Sequence, residues 1–165
     1  MIKKLAISFR SHLLPTDPAA IYAIVCDTGF FREEEAIIAR ELAEETLANP
    51  SEYEFIFAQP AGLEDDDPVA YICYAEIPGT VGSYELYWIA VLKRFQRQGL
   101  GKQLIQAAEA DIKARGGRLV YISTSGTELY SGTRIAYERA GYSQAAVLKD
   151  FYLPGDDQVI YVKKL

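Results

Sequence analysis

Six residues between a predicted strand and a predicted helix have the composition of an anion-binding turn. The segment Gln96-Arg97-Gln98-Gly99-Leu100-Gly101 follows an apolar run and precedes an amphipathic stretch. The first backbone N–H groups of a helix have no intrahelical partner, and they carry the positive end of the helix dipole. Glycines allow a phosphate to approach these groups because no Cβ intervenes. The turn therefore predicts an anion site, although an ordinary strand-to-helix turn that uses Gly for its geometry explains the same residues.

The turn differs from the two common nucleotide-binding loops. It does not end in Gly-Lys-Ser/Thr, as a Walker loop does, and it does not have the Gly-x-Gly-x-x-Gly spacing of a dinucleotide site. No Ser, Thr, Asp or Asn stands at the expected N-cap position to satisfy the first N–H groups of the helix. An external acceptor is therefore the expected partner of these groups.

The elements around the turn are predicted to form a βαβ unit. Residues 84–91 and 118–124 are β-branched and aromatic, which predicts two strands, and residues 101–115 between them predict a helix. Four apolar residues share one face of that helix: Leu104, Ile105, Ala108 and Ile112. A right-handed crossover makes the two strands parallel, and ligands of such units bind at the carboxyl ends of the strands. The turn lies at that end.

The remaining pattern predicts helices at residues 17–28, 33–48 and 129–140, and strands at residues 5–10, 53–58, 69–75, 145–152 and 158–163. Asp17 and Pro18 are predicted as N-cap and first residue of the first helix. The second helix is expected to bury Ile37, Ile38 and Leu42, and Gly141 is expected to end the last helix. The order predicts an α/β fold with a mixed, mostly antiparallel sheet of about seven strands, a central parallel pair and helices on both faces.

Composition limits the classes of function. The 165 residues carry a formal net charge of −6, which argues against nucleic acid or an anionic membrane as the main partner. Two isolated cysteines favour a reducing compartment, and no apolar run has the length of a signal peptide or a bilayer span, so a cytoplasmic location is expected. No residues stand at metal-ligand spacing, so no metal is expected.

Three motifs resemble the GCN5-related N-acetyltransferase (GNAT) family. Gln96–Gly101 resembles its acetyl-CoA pyrophosphate loop, Tyr137–Tyr142 (YERAGY) resembles its Tyr-Glu-x-x-Gly-Phe/Tyr motif, and Glu85–Val91 is similar to its strand with a catalytic glutamate. The order of elements matches that fold over nearly the whole chain. The resemblance implies a single N-acetyltransferase domain over residues 1–165, with acetyl-CoA as co-substrate.

The resemblance also implies a cofactor site. Backbone groups of Ile89, Ala90 and Val91 would pair with the pantetheine arm, as an added strand does. The turn that begins at Gln96 would hold the pyrophosphate on the N–H groups of Arg97, Gln98, Gly99, Leu100, Gly101 and Lys102. Tyr130 stands where the family often has an asparagine that contacts the cofactor arm, which is a departure from the pattern.

Two residues are candidates for the chemistry of acetyl transfer to an amine. An alkyl ammonium has a pKa near ~10, so a base must remove a proton at neutral pH. Glu85 matches the position of the family's base, whereas an exposed strand glutamate is the alternative reading. Tyr137 matches the tyrosine that protonates the departing thiolate, whereas a packing role on the helix face is the alternative. A backbone N–H of Ala90 or Val91 is the candidate oxyanion donor.

Three hypotheses of function follow. The first is an N-acetyltransferase that acts on a primary amine of a small molecule, amino acid or peptide, as a monomer or homodimer. The second is a catalytically silent regulatory module that binds CoA. The third is an α/β protein that binds a nucleotide other than CoA.

Overall fold

The computed structural model describes residues 6–61 and 67–165. Its seven strands form one mixed sheet in the order β1-β2-β3-β4-β5-β7-β6. The strands are β1 (Ile7–Arg10), β2 (Glu54–Pro60), β3 (Ala70–Glu76), β4 (Ser83–Val91), β5 (Leu119–Ser125), β6 (Ser143–Leu153) and β7 (Asp156–Lys164). The helices are α1 (Asp17–Asp27), α2 (Glu33–Ala48), α3 (Leu100–Ala114) and α4 (Ser131–Arg139).

The sheet contains the predicted parallel pair. In it, β4 and β5 run parallel from Ser83 opposite Leu119 to Leu86 opposite Ile122. The pairs β1–β2, β5–β7 and β6–β7 are antiparallel. The predicted mixed sheet is therefore confirmed, with β1 at one edge and β6 at the other. The predicted first residue of β1, Leu5, lies outside the described residues.

The chain divides into two compact units. One contains residues up to 73 together with residues 88–108, and the other contains residues 74–87 together with 109–165. The expectation of one domain over residues 1–165 stays a prediction. In the first unit, the hydrophobic core is built from α1, α2, β2, β3 and the end of β4, with these buried members: Ile21, Ile24, Val25, Ala36, Ala39, Ala43, Phe55, Phe57, Tyr71, Cys73 and Ala90.

The buried face of α2 differs from the prediction. Ala36, Ala39 and Ala43 are buried, whereas Ile38 is 56% exposed and Leu42 is partly buried. The three alanines recur at i, i+3 and i+7, which is the spacing of one helical face. Small side chains allow close packing against the core, so the alanine face is buried rather than the isoleucine face. The prediction that Ile38 is buried was wrong.

The first turn of α1 also differs from the prediction. Its N-cap residue is Thr16, and Asp17 is the first helical residue. The carboxylate of Asp17 accepts hydrogen bonds from the Leu14 N–H at 2.6 Å and from Arg10 Nη1 and Nη2 at 2.8 Å each. Asp17 is 1% exposed, and its partners neutralise a charge that would be costly to bury alone. It therefore ties the start of α1 to β1 rather than capping the helix by itself.

The predicted apolar face of α3 is confirmed. Its four members are all buried: Leu104, Ile105, Ala108 and Ile112. Exposed polar residues such as Lys102, Gln106 and Lys113 occupy other positions of the helix. This periodicity sets which side of α3 packs against the core.

Candidate functional site

The glycine turn of the first unit joins the end of β4 to α3. After Val91 the chain forms a 3₁₀ turn over Lys93–Phe95 and then enters α3 at Leu100. The first hydrogen bond into the helix runs from the Gln103 N–H to the Gly99 carbonyl at 3.0 Å. The N–H groups of Leu100, Gly101 and Lys102 therefore precede the helical ladder and point out of the helix end. This is the arrangement that the anion site requires.

Side chains hold the turn from the strand side. Gln96 Nε2 donates to the Val91 carbonyl at 3.0 Å, and Gln98 Nε2 donates to the Arg94 carbonyl at 3.0 Å. The Lys93 N–H donates to Asp27 Oδ2 at 2.6 Å, which ties the 3₁₀ turn to the end of α1. Both glutamines thus brace the backbone that precedes the helix. This bracing preorganises the turn without occupying the N–H groups of the first helical turn.

The two glycines of the turn have different roles. Gly99 has φ of +82°, and Arg97 has φ of +60°, so both residues take the left-handed conformation. Glycine adopts it without strain, whereas a residue with Cβ pays roughly 1–2 kcal/mol. Gly101 has no positive φ, and a Cβ added there would meet no heavy atom within 4 Å. Gly99 is therefore needed for the path of the chain, while Gly101 leaves open space beside the helix start.

The end of β4 extends past the parallel pairing. The register with β5 stops at Leu86, and β4 continues to Val91. Ala90 is 3% exposed and belongs to the core of the first unit, whereas Ile89 and Val91 are partly buried. The Leu92 N–H donates to the Val69 carbonyl at 2.9 Å, which fixes the strand end on the β3 side. Ile89–Val91 are thus held in extended form at the position where the family resemblance implies backbone pairing with a ligand.

Glu85 lies on β4 in the second unit and is half-buried. It is placed opposite Tyr121 of β5, and Ser123 Oγ donates to Glu85 Oε1 at 3.2 Å. Burial raises the pKa of Glu85, and the hydrogen bond from Ser123 lowers it in part. A carboxyl group with a raised pKa is a stronger proton acceptor, which suits a general base. The environment therefore departs from that of an ordinary exposed strand glutamate.

Tyr137 lies on α4 in a group of tyrosines of the second unit. Its ring meets Tyr161 edge-on at a centroid distance of 5.9 Å and Tyr142 at 6.4 Å. Burial raises the pKa of Tyr137, and the nearby phenols of Tyr130, Tyr152 and Tyr161 raise it further. The phenol therefore stays protonated through the neutral range, as a proton donor must. The aromatic contacts show a packing role as well, and the two roles are compatible.

The start of α4 is fastened to the end of β5. Arg134 Nη1 donates to the carbonyls of Ser125 and Thr127 at 2.8 Å each. Ser125 Oγ donates to Asp156 Oδ1 at 2.6 Å, which links the same segment to the start of β7. Tyr130 occupies the N-cap position of α4 without a capping hydrogen bond from its side chain, and it is partly buried. These contacts fix the start of α4. Tyr137 lies on the same helix, three residues after Arg134.

The structure brings the predicted site residues into two groups. Gln96 to Lys102 and Ile89 to Val91 belong to the first unit, and Glu85, Tyr130 and Tyr137 belong to the second. Among the residues that the structure describes, no hydrogen bond or ring contact joins Glu85 to Tyr137. Ser123 and Arg134 were not predicted from the sequence. The parallel register offered a signal for Ser123, because it lies two residues beyond the partner of Glu85 on the same strand face.

The chain thus combines a mixed sheet that contains the parallel pair β4–β5 with a glycine turn that leads from β4 into α3. A family model described as "Acetyltransferase (GNAT) family" matches residues 19–142. The chain therefore belongs to the GNAT acetyltransferase family. This result confirms the resemblance, the enzyme class and acetyl-CoA as the expected co-substrate.

Solved structures agree with the family assignment. A GNAT-family protein from Desulfovibrio desulfuricans has 45% identity and a TM-score of 0.90, with 96% of this chain and 99% of that chain covered. The ribosomal-protein-S18-alanine N-acetyltransferase of Escherichia coli has 20% identity and a TM-score of 0.74, with 96% and 94% covered. An aminoglycoside 6′-N-acetyltransferase complexed with coenzyme A has 19% identity and a TM-score of 0.72, with 97% of each chain covered. The latter two show the shared fold. No curated protein matches the sequence of this chain.

Residues 6–61 and 67–165 contain neither a metal-binding cluster nor a membrane-spanning helix. No group of three or more His, Cys, Asp or Glu side chains is arranged to hold a metal ion. Within the same residues, no helix has both the length and the apolar character needed to cross a bilayer.

Proposed function

We propose that the protein transfers the acetyl group of acetyl-CoA to a primary amine by direct attack of the amine on the thioester. The observation that carries the proposal is the open, braced glycine turn at the start of α3 in a chain of the GNAT family. The N–H groups of Leu100, Gly101 and Lys102, with those of Arg97 to Gly99 before them, would hold the pyrophosphate. The exposed side chains of Lys93, Arg94, Arg97 and Lys102 surround the turn with positive charge, which favours a polyanion.

The strand end and the two candidate catalytic residues would supply the chemistry. Ile89 to Val91 would pair with the amide groups of pantetheine, and an N–H of Ala90 or Val91 would stabilise the oxyanion. Glu85 would accept the proton of the ammonium through a water molecule, because its raised pKa makes it a stronger base. Tyr137 would donate its phenolic proton to the departing thiolate. The two free cysteines, Cys26 and Cys73, are in keeping with action in the reducing cytoplasm.

Ligand-dependent thermal unfolding tests the cofactor half of the proposal. Acetyl-CoA and CoA at 100 times Kd should stabilise the protein by about 2.7 kcal/mol, which is roughly 5–10 °C in Tm for a chain of this size. ATP at the same concentration should have no effect, because it lacks the pantetheine arm. Stabilisation by ATP alone would favour a nucleotide binder of another kind, and no shift with any of the three would refute the proposal.

Release of free CoA thiol over a panel of primary amines tests the catalytic half. An enzyme should release CoA only when acetyl-CoA and an acceptor are both present. Stabilisation by acetyl-CoA without thiol release for any amine would instead favour a regulatory module that senses CoA.

A further inference from the structure

The end of α4 brings Tyr142 back beside Tyr137. Gly141 has φ of +95°, a left-handed conformation that glycine adopts without strain and that commonly ends a helix. The Tyr142 N–H donates to the Tyr137 carbonyl at 3.1 Å, and the Gly141 N–H donates to the Glu138 carbonyl at 3.0 Å. In this type of helix end, the residue after the glycine packs against the last turn of the helix. The rings of Tyr142 and Tyr137 accordingly meet, with centroids 6.4 Å apart.

An ion pair holds Tyr142 in this position. The Tyr142 hydroxyl donates to Glu109 Oε1 of α3 at 2.8 Å, and Lys163 Nζ of β7 donates to Oε1 and Oε2 of the same carboxylate at 3.0 and 2.8 Å. Lys163 Nζ also donates to the Ala140 carbonyl at 2.9 Å, so its charge lies at the negative end of the α4 dipole. The side chains of Glu109 and Lys163 are only 13% and 27% exposed. Such a pair resists rearrangement, because separation would leave each charge poorly solvated.

Tyr161 of β7 makes the second ring contact of Tyr137. The two rings meet edge-on, with centroids 5.9 Å apart and an interplanar angle of 62°. The Tyr161 hydroxyl donates to Glu138 Oε1 at 3.1 Å, and Glu138 is the residue that follows Tyr137 in α4. The backbone of Tyr161 lies between Ile122 of β5 and Gln144 of β6 in the sheet. Because Tyr161 is 1% exposed and close-packed, its ring has little freedom to move.

The helix α4 gives Tyr137 little support by itself. Each of its nine residues is exposed to solvent at least in part. A proton donor, however, must lie within hydrogen-bond distance of the atom that takes the proton. A displacement of about 1 Å can lower a reaction rate by roughly 10²-fold. The position of the Tyr137 hydroxyl therefore depends on the two rings that contact Tyr137 from outside α4.

We propose that Tyr161 and Tyr142 are positioning residues, which hold the ring of Tyr137 so that its hydroxyl meets the sulfur of acetyl-CoA. This inference rests on the proposed function, because it takes Tyr137 as the general acid. Glu138 and the Glu109–Lys163 pair support the two rings by accepting hydrogen bonds from their hydroxyls. All of these residues act through Tyr137 and transfer no proton themselves.

Substitutions that remove or keep a ring test the positioning role. Tyr161→Leu removes the ring and should lower kcat by about 10- to 100-fold, while Kd for CoA and KM for acetyl-CoA stay unchanged. Tyr161→Phe loses only the hydrogen bond to Glu138 and should keep kcat close to that of the wild type. The same two substitutions at Tyr142 should give the same pattern. If Tyr161→Leu does not fold, Tyr142→Leu decides.

A core substitution separates positioning from a general loss of stability. Ile112→Ala is the matched control, because it leaves a cavity at a fully buried residue of the same unit. It should lower Tm and leave kcat unchanged at temperatures well below Tm. An unchanged kcat in the leucine variants would overturn the inference. So would an equal fall of kcat in Tyr161→Phe and Tyr161→Leu, because the ring would then not be the group that matters.

Aromatic NMR gives a readout that needs no turnover. With ¹³C at the ε positions of the tyrosine rings, a held ring gives separate signals for its two ε carbons, whereas a rapidly flipping ring gives one averaged signal. The signals of Tyr137 are those that Tyr137→Phe removes. We expect separate signals in the wild type and in Tyr161→Phe, and an averaged signal in Tyr161→Leu. The same signals in all three proteins would refute the inference. If no amine is acetylated, the proposed function fails, and the ring signals alone decide whether Tyr161 holds Tyr137.

Discussion

Replacement of Gly101 by alanine separates a structural role of this glycine from a ligand-binding role. Gly101 is the second residue of α3, it has no positive φ, and an added Cβ would meet no protein atom within 4 Å. Alanine is favoured over glycine in a helix by up to about 1 kcal/mol. In a domain of this size that gain corresponds to roughly 2–4 °C in Tm. On structural grounds alone, Gly101→Ala should therefore be neutral or stabilising.

The same substitution should weaken CoA binding if the pyrophosphate lies against the helix start. The new Cβ would stand in the open space beside the N–H groups of the first turn and displace a phosphate from at least one of them. A hydrogen bond to a charged group contributes about 1.5–3 kcal/mol. Loss of one such bond corresponds to a rise in Kd of roughly 10- to 150-fold. The expected result is a protein that is equally or more stable and binds CoA more weakly.

Thermal unfolding of the free protein and calorimetric titration with CoA measure the two effects. Gly132→Ala is the matched control, because Gly132 is the second residue of α4 and also has open space around it. The control should show the gain in stability without the loss of affinity. A Kd for CoA that is unchanged in Gly101→Ala would refute the placement of the pyrophosphate. A lower Tm in the absence of ligand would show that the glycine serves the fold instead.

Four further predictions concern the catalytic groups and the core. Tyr137→Phe should lower kcat by about 10²- to 10⁴-fold and leave Kd for CoA unchanged. Steady-state kinetics measures the first effect and calorimetry the second. An unchanged kcat would exclude Tyr137 as the general acid. Because a base must be deprotonated, activity should fall as the pH drops through the pKa of Glu85. Ser123→Ala removes a hydrogen bond that lowers this pKa. The substitution should therefore raise the pKa and move the acid limb of the kcat/KM profile to higher pH. A limb that moves to lower pH would contradict this assignment of the base. The buried Tyr71 hydroxyl has no hydrogen-bond partner among the described residues, so Tyr71→Phe should leave the free energy of unfolding unchanged or raise it by up to about 1–3 kcal/mol in a urea titration. In contrast, Tyr74→Phe, which loses a 2.7 Å bond to a carboxylate, should lower the free energy of unfolding by about 1.5–3 kcal/mol.

Those parts of the fold that depend on local periodicity could be predicted from the sequence. The apolar spacing in α3 correctly identified Leu104 and Ile112 as core residues, because a helix places residues of that spacing on one face. The same reasoning failed for Ile38 in α2. Hydrophobicity alone ranks isoleucine above alanine, whereas packing against a neighbouring element also selects for small side chains. That preference depends on the distance to a partner element, which a single sequence does not contain.

In the candidate site, too, some features depend on neighbouring residues and others on residues that are far apart in the sequence. The glycine turn is built from consecutive residues, so the glycine spacing was sufficient to predict the path of the chain into α3, whereas anion binding there stays a prediction. The environment of Glu85 depends on Ser123, which is 38 residues away in the sequence. The proposed cofactor site is thus encoded largely in one short segment, whereas the surroundings of the proposed base depend on residues that are far apart in sequence.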